Sequence, residues 1–121
     1  MKKILIIEDE AMLAEMYKEK LEKEGFEVLL ASNVEEGLEI AKREKPNLIL
    51  LDILLEGENG ISFLQKQKSD EEISEIPVIV FSNYDNTQTK KEAQNLGVKE
   101  YLIKTNFTPE EFIEKIKKYL K

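Results

Sequence analysis

At 121 residues the chain has the length of one domain with a single sizeable core. Its 41% hydrophobic and 36% charged residues exclude a disordered or membrane-embedded class. With 18 basic against 25 acidic residues, a formal charge of −7, the balance argues against non-specific nucleic-acid binding, which needs a basic face. Cys and His are both absent, which excludes a disulfide framework, thiol catalysis, a histidine base and imidazole- or thiolate-held zinc. Any metal must be held by oxygen, which favours Mg²⁺, Ca²⁺ or Mn²⁺.

The chain opens with Met1-Lys2-Lys3 and an apolar run that Glu8 cuts off, too short for a signal peptide. No segment is long enough to span a bilayer, so a cytoplasmic setting is the default expectation. Residues 3–7 read as a strand. The segment 10–24 then places Leu13, Met16, Tyr17 and Leu21 on one helical face, with Gly25 as its stop. A second strand is expected at 26–31. Asn33 reads as an N-cap with Glu36 completing a capping box, and that helix ends ahead of Pro46.

The third strand is predicted at 48–52. A loop containing Gly57 and Gly60 leads into a helix around Ile61, Phe63 and Leu64, which fades into the polar stretch from Ser69 to Glu75. Pro77 opens a fourth strand, and a weakly amphipathic helix follows and ends at Leu96-Gly97. The fifth strand is expected at 98–103. Thr108-Pro109-Glu110-Glu111 is a strong start signal for a last helix burying Phe112, Ile113, Ile116 and Leu120. Alternating strands and helices imply α/β architecture, a parallel five-stranded sheet covered on both faces, in one domain spanning 1–121.

Four apolar runs stop at residues suited to a phosphoryl group. Ile4 to Ile7 meets Glu8-Asp9, Leu48 to Leu51 meets Asp52, Val78 to Phe81 meets Ser82, and Tyr101 to Ile103 meets Lys104. Taken singly, the acid pair could be a solvated turn, Asp52 a helix cap, and Ser82 and Lys104 ordinary surface residues. All of them fall at carboxyl ends of strands, the edge where open α/β sheets bind ligands. Three acids in one pocket call for a divalent cation, a carboxylate can attack phosphorus, and an ammonium and a hydroxyl can hold phosphoryl oxygens.

On these motifs the chain resembles a receiver domain of the two-component response-regulator family, of the single-domain chemotaxis-regulator kind. The resemblance implies a (βα)₅ flavodoxin-like, doubly wound fold with strand order 2-1-3-4-5. It implies Asp52 as phosphoacceptor, with Lys104 and Ser82 as the catalytic partners. It implies Mg²⁺ (or Mn²⁺) held by Glu8, Asp9, Asp52 and the backbone carbonyl of Leu54. Ser82 and Tyr101 would act as switch residues, and Gly60 as the glycine that follows the phosphorylation loop. A histidine kinase or phosphotransfer protein would supply the phosphoryl group. The face of helix four, strand five and helix five would then change its affinity for an output protein or domain. The resemblance further implies no direct nucleic-acid or membrane binding, and a monomer or weak phosphorylation-linked dimer.

The sequence departs from the family pattern at three places. Thr105 stands where a proline, commonly cis, follows the lysine, so this bond is either a non-proline cis bond or trans in a reshaped loop. Asn83 stands where a small residue is usual, and Leu55-Glu56 where Met-Pro is common. Leu54 and Tyr84 lie where family members tune water access, and their bulk implies slow hydrolysis. A phosphorylation-independent interaction module is the alternative reading. An aspartyl-phosphate hydrolase is disfavoured, because Leu54 occupies the place of its second acid, so no turnover enzyme on an external substrate is expected. Nothing after Lys121 supplies an output domain, leaving a stand-alone receiver or one cut from a longer protein.

Overall fold

The computed structural model describes residues 1–120, so Lys121 of the expected 1–121 domain lies outside the described residues. Five strands form one parallel sheet: β1 (Lys3–Ile7), β2 (Glu27–Ala31), β3 (Leu48–Leu51), β4 (Val78–Ser82) and β5 (Glu100–Ile103). Their order across the sheet is β2-β1-β3-β4-β5, the flavodoxin-like order. The central strands are buried on both faces, which is why their sequences are unbroken Leu, Ile and Val rather than alternating. Leu5 sits beside Leu29 on one side and Ile49 on the other, and Val80 of β4 beside Tyr101 of β5.

Five helices close the two faces: α1 (Ala11–Lys23), α2 (Val34–Glu44), α3 (Ile61–Lys68), α4 (Thr87–Asn95) and α5 (Pro109–Tyr119). One core packs Leu5, Ile7, Ile49, Leu51 and Val80 against Ile40, Phe63, Leu64 and Ala93, from α2, α3 and α4. The other packs Ile4, Ile6, Leu50, Ile79 and Phe81 against Tyr17, Leu21, Phe112 and Ile116, from α1 and α5. Alternate residues of each strand thus feed opposite cores, as the two-residue period of a strand requires.

Most end signals hold. Gly25 takes φ +94, the left-handed stop after α1. Thr108 and Glu111 form the reciprocal capping box of α5, with Pro109 in its first turn. At α2 the expected box is not completed. Asn33 Oδ1 does cap the Glu36 N–H at 2.8 Å, but the Glu36 carboxylate reaches one residue further back, to the Ser32 N–H at 2.6 Å.

Two features lie outside the expected pattern. The loop after β3 is a small antiparallel hairpin pairing Leu54–Leu55 with Glu58–Asn59, and Gly57 at φ +75 makes its turn. The stretch after α3 is anchored rather than loose. Ile73 is buried, and the buried Gln67 amide donates to the Ile73 and Ile76 carbonyls at 3.0 and 2.9 Å. Among the described residues, no helix is long and apolar enough to cross a membrane.

Candidate phosphoryl site

Because the strands are parallel, every sequence change at a strand's carboxyl end lands on one edge of the sheet. Glu8 and Asp52 are rooted there by backbone bonds that extend the ladder. The Glu8 N–H donates to the Ala31 carbonyl at 2.9 Å, and the Asp52 N–H to the Ile7 carbonyl at 3.0 Å. The acids therefore stand directly on the ends of buried, hydrogen-bonded strands. Gly60 lets the following loop press on them: a Cβ there would crowd the Asp52 carbonyl and lie 2.9 Å from the Ile53 Cα.

Glu8 and Asp52 are buried, and Asp9 is half-buried. Each offers one carboxylate oxygen, and these oxygens lie within 4.8 Å of one another. The Lys104 ammonium donates to Glu8 Oε1 and, at 3.0 Å, to Asp52 Oδ2. Backbone donors take further oxygens. Leu54 N–H reaches Asp52 Oδ1 at 3.3 Å, Glu56 N–H reaches Asp9 Oδ2 at 2.6 Å, and Glu10 N–H reaches Glu8 Oε2 at 3.1 Å.

Burial pushes the Glu8 carboxyl above its ordinary value, against the lowering effect of its bond to Lys104. On Lys104 burial acts in the opposite sense, but Glu8 and Asp52 outweigh it and hold the ammonium above its usual range. By formal charge, three carboxylates less one ammonium leave −2 on the cluster. An all-oxygen, doubly negative, partly open cluster suits a hard divalent cation, and Mg²⁺ fits its chemistry.

Beneath the cluster lies an apolar floor. Phe81 stacks on Phe112 with centroids 3.8 Å apart, and Tyr17 meets both rings edge-on at 5.4 Å. Lys104 Nζ stands 5.9 Å from the Phe81 ring centre, within cation–π reach. This floor excludes water from one side of the ion pairs and so strengthens them.

Glu8, Asp9, Asp52 and Lys104 thus form one cluster. Ser82 and Tyr101 stand beside it and are joined through Tyr84. Ser82 is fully buried, and its Oγ accepts from the Tyr84 N–H at 3.2 Å. The half-buried Tyr101 hydroxyl donates to the Tyr84 carbonyl at 2.5 Å. Burial, with the nearby Asp52 and Asp85 charges, pushes Tyr101 up to about 12. Leu54 is 53% exposed and contributes its N–H to Asp52.

The open question at Lys104-Thr105 resolves to the trans form, since no peptide bond among the described residues is cis. The chain leaves Lys104 in a short 3₁₀ turn (Lys104–Asn106), and the Thr105 N–H donates to Asn83 Oδ1 at 3.1 Å. Sequence reasoning did not find this link, nor the N–H groups of Leu54 and Glu56. All three are backbone donors placed by loop shape, which carries no residue-type signature.

Residues 4–117 match the family model of the response regulator receiver domain. Protein PilH of Pseudomonas aeruginosa is 39% identical over 106 residues, covering 86% of this chain and 86% of its own. The polar-differentiation response regulator DivK of Brucella anthropi is 31% identical over 119 residues, covering 98% of this chain and 96% of its own. The phosphate regulon transcriptional regulatory protein PhoB of P. aeruginosa is 35% identical over 120 residues, 99% of this chain, yet the chain spans only 52% of that protein. A crystal structure of a CheY-like response regulator receiver domain protein from Methanospirillum hungatei superposes with a TM-score of 0.89 at 32% identity, over 99% of this chain and 94% of that one.

Proposed function

The chain belongs to the response regulator receiver domain family, and on that premise we propose that Asp52 accepts a phosphoryl group from a partner phosphohistidine with Mg²⁺ bound. Receiver domains are phosphoacceptor switches rather than turnover enzymes, and they work between histidine kinases and downstream outputs. The observation that carries the finer reading is the cluster itself: Glu8, Asp9 and Asp52 oxygens within 4.8 Å, with Lys104 bonded to two of the three acids.

In this reading one Asp52 carboxylate oxygen attacks phosphorus, a P–O bond forms, the P–N bond breaks, and the imidazole leaves with the electron pair. Asp9 and Glu8, with Asp52 and the Leu54 carbonyl, would hold the metal. When bound, the metal neutralises charge on the phosphoryl oxygens. Lys104 exchanges its bond to Asp52 for one to a phosphoryl oxygen, and Ser82 gives up its Tyr84 contact to donate to another. That movement releases the Tyr84–Tyr101 link and alters the face of α4, β5 and α5. A cytoplasmic setting, a kinase or phosphotransfer donor and an output protein complete the proposal. The bulk of Leu54 and Tyr84 near the acceptor supports slow loss of the phosphoryl group.

The test is labelling by a small acyl-phosphate donor with Mg²⁺, read by intact mass. A gain of one phosphoryl group on the native chain that disappears in Asp52→Asn is the expected result. No gain on the native chain, or an undiminished gain in the variant, sinks the reading in favour of a phosphorylation-independent interaction module.

A further inference from the structure

Asn83 and Thr105 meet at the rim of the site. Asn83 directly follows Ser82, whose hydroxyl accepts from the Tyr84 N–H, and Thr105 directly follows Lys104, whose ammonium bonds Asp52, so each lies one peptide from a group assigned to the phosphoryl site. The β4–β5 register runs as far as Ser82 opposite Ile103. The bond from the Thr105 N–H to Asn83 Oδ1, at 3.1 Å, continues the tie between the two strands past that ladder.

The donor is available because Thr105 lies at the start of a 3₁₀ turn, where the first N–H groups have no partner inside the helix. Asn83 fills that vacancy as a cap would. The far side of the turn is closed by the Phe107 N–H on the Lys104 carbonyl at 3.2 Å. On the β4 side, Ser82 is held by the Tyr84 N–H, and Tyr84 by the Tyr101 hydroxyl. A proline at 105 would have no N–H to give, so the bond requires a residue other than proline there and the Asn83 side-chain oxygen opposite it.

We infer that Asn83 is a positioning residue, whose side-chain bond to the Thr105 N–H fixes the Ser82 and Lys104 loops relative to each other so that hydroxyl and ammonium converge on one phosphoryl group. The inference rests on the reading of Asp52 as acceptor. Loops already held in register leave only the side-chain exchanges of Lys104 and Ser82 to the transfer itself, which is where fixed loops gain rate. The bond is exposed, so its contribution is at the small end of the range for hydrogen bonds.

The experiment is a double-mutant cycle of Asn83→Ala and Thr105→Pro, read as the initial rate of labelling by an acyl-phosphate donor with Mg²⁺. Asn83→Ala slows labelling about fourfold in the native background, ~0.8 kcal/mol at 1.36 kcal/mol per decade. On top of Thr105→Pro it has no further effect, whatever rate that variant has alone, because the bond is already gone. Mg²⁺ affinity stays within about twofold, since Glu8 and Asp9 lie on another loop, whereas general loosening would lower both.

The same fourfold loss in the Thr105→Pro background overturns the proposal, and so does a loss of stability with an unchanged labelling rate. If Thr105→Pro does not fold, hydrogen exchange at the Thr105 amide decides. Faster exchange in Asn83→Ala, together with slowed labelling, supports the proposal; unchanged exchange overturns it. The two possible failures are distinguishable. A native chain that takes no label defeats the acceptor reading and this one with it. A native chain that labels, with additive variants, defeats only the role of Asn83.

Discussion

Lys104 has opposite consequences for metal binding and for phosphoryl handling. Its ammonium occupies oxygens of Glu8 and Asp52 that a cation would also use. Lys104→Met, which keeps the aliphatic stem, should therefore bind Mg²⁺ more tightly than the native chain while labelling far more slowly. The same change leaves two buried carboxylates without their partner, and should cost about 3 kcal/mol in Mg²⁺-free buffer. Part of that loss should return on adding Mg²⁺; calorimetric titration and denaturant melts measure the two effects. Tyr101 makes a separate prediction. Held near 12 by burial and by the Asp52 and Asp85 charges, it should titrate later than an ordinary tyrosine, seen as an ultraviolet tyrosinate signal that Tyr101→Phe removes. Its folded value exceeds its unfolded value of about 10, so its contribution to stability is complete below pH ~10 and is lost between there and about 12. At this scale the gathering of Glu8, Asp9, Asp52 and Lys104 was legible, because each follows an apolar run that ends at the same sheet edge. The bridging of Glu8 by Lys104 was not, because 96 residues separate the partners and only the strand order brings them together.

Elements divide the molecule into parts that hold the site and parts that hold only the fold. Gly60 belongs to the first kind. Gly60→Ala drives a methyl into the Asp52 backbone, and should lower stability and Mg²⁺ affinity together. Gln67 belongs to the second. Gln67→Leu strands two carbonyls, Ile73 and Ile76, that its amide now satisfies. It should cost about 2 kcal/mol with Mg²⁺ affinity unchanged. Thermal melts alongside a Mg²⁺ titration separate the two outcomes. The helix and strand order was readable from period and end signals, since Gly25, Asn33 and Thr108 act within one turn of where they stand. Short-range alternatives were less readable. Ser32 sits one residue before Asn33 and offers the Glu36 carboxylate an N–H as good as the expected one. Leu54-Leu55 is apolar like the strand before it, so the hairpin it forms carries no change of pattern. Ile73 is a single apolar residue in a polar run, too little to show a period, and its burial depends on Gln67 from the helix before.

For the whole molecule, acid groups pull stability in two directions as pH changes. Lys3 and Arg43 hold Glu44 below its ordinary value, and Lys42 holds Asp70 below its own. Their contributions are present above the ordinary carboxylate values and are lost as pH falls through the lowered ones. Glu8 runs the other way: raised by burial, its contribution is present below about 4.5 and is lost as pH rises through its folded value. A cation at neutral pH should remove that burden. At ten times its Kd, Mg²⁺ should add ~1.4 kcal/mol and raise Tm by about 5–6 °C. The gain should shrink on acidification, as protons compete for the same oxygens; thermal melts across pH 4.5–7.5 follow it. The parallel sheet also separates the molecule end from end. The acidic cluster and Lys104 occupy the carboxyl edge of the strands, while the exposed turn at Glu71 and Glu72 enters β4 from the amino edge. Gln67 and Ile73 pin that turn from beneath, while at its tip Glu72 makes a surface ion pair with Lys45 at 3.6 Å, the weak kind of contact an exposed turn can lose. The fold thus comes with a built-in attachment point, where a fluorophore, a fused partner or a pair of new chain ends could ride at the opposite edge from the acidic cluster and Lys104.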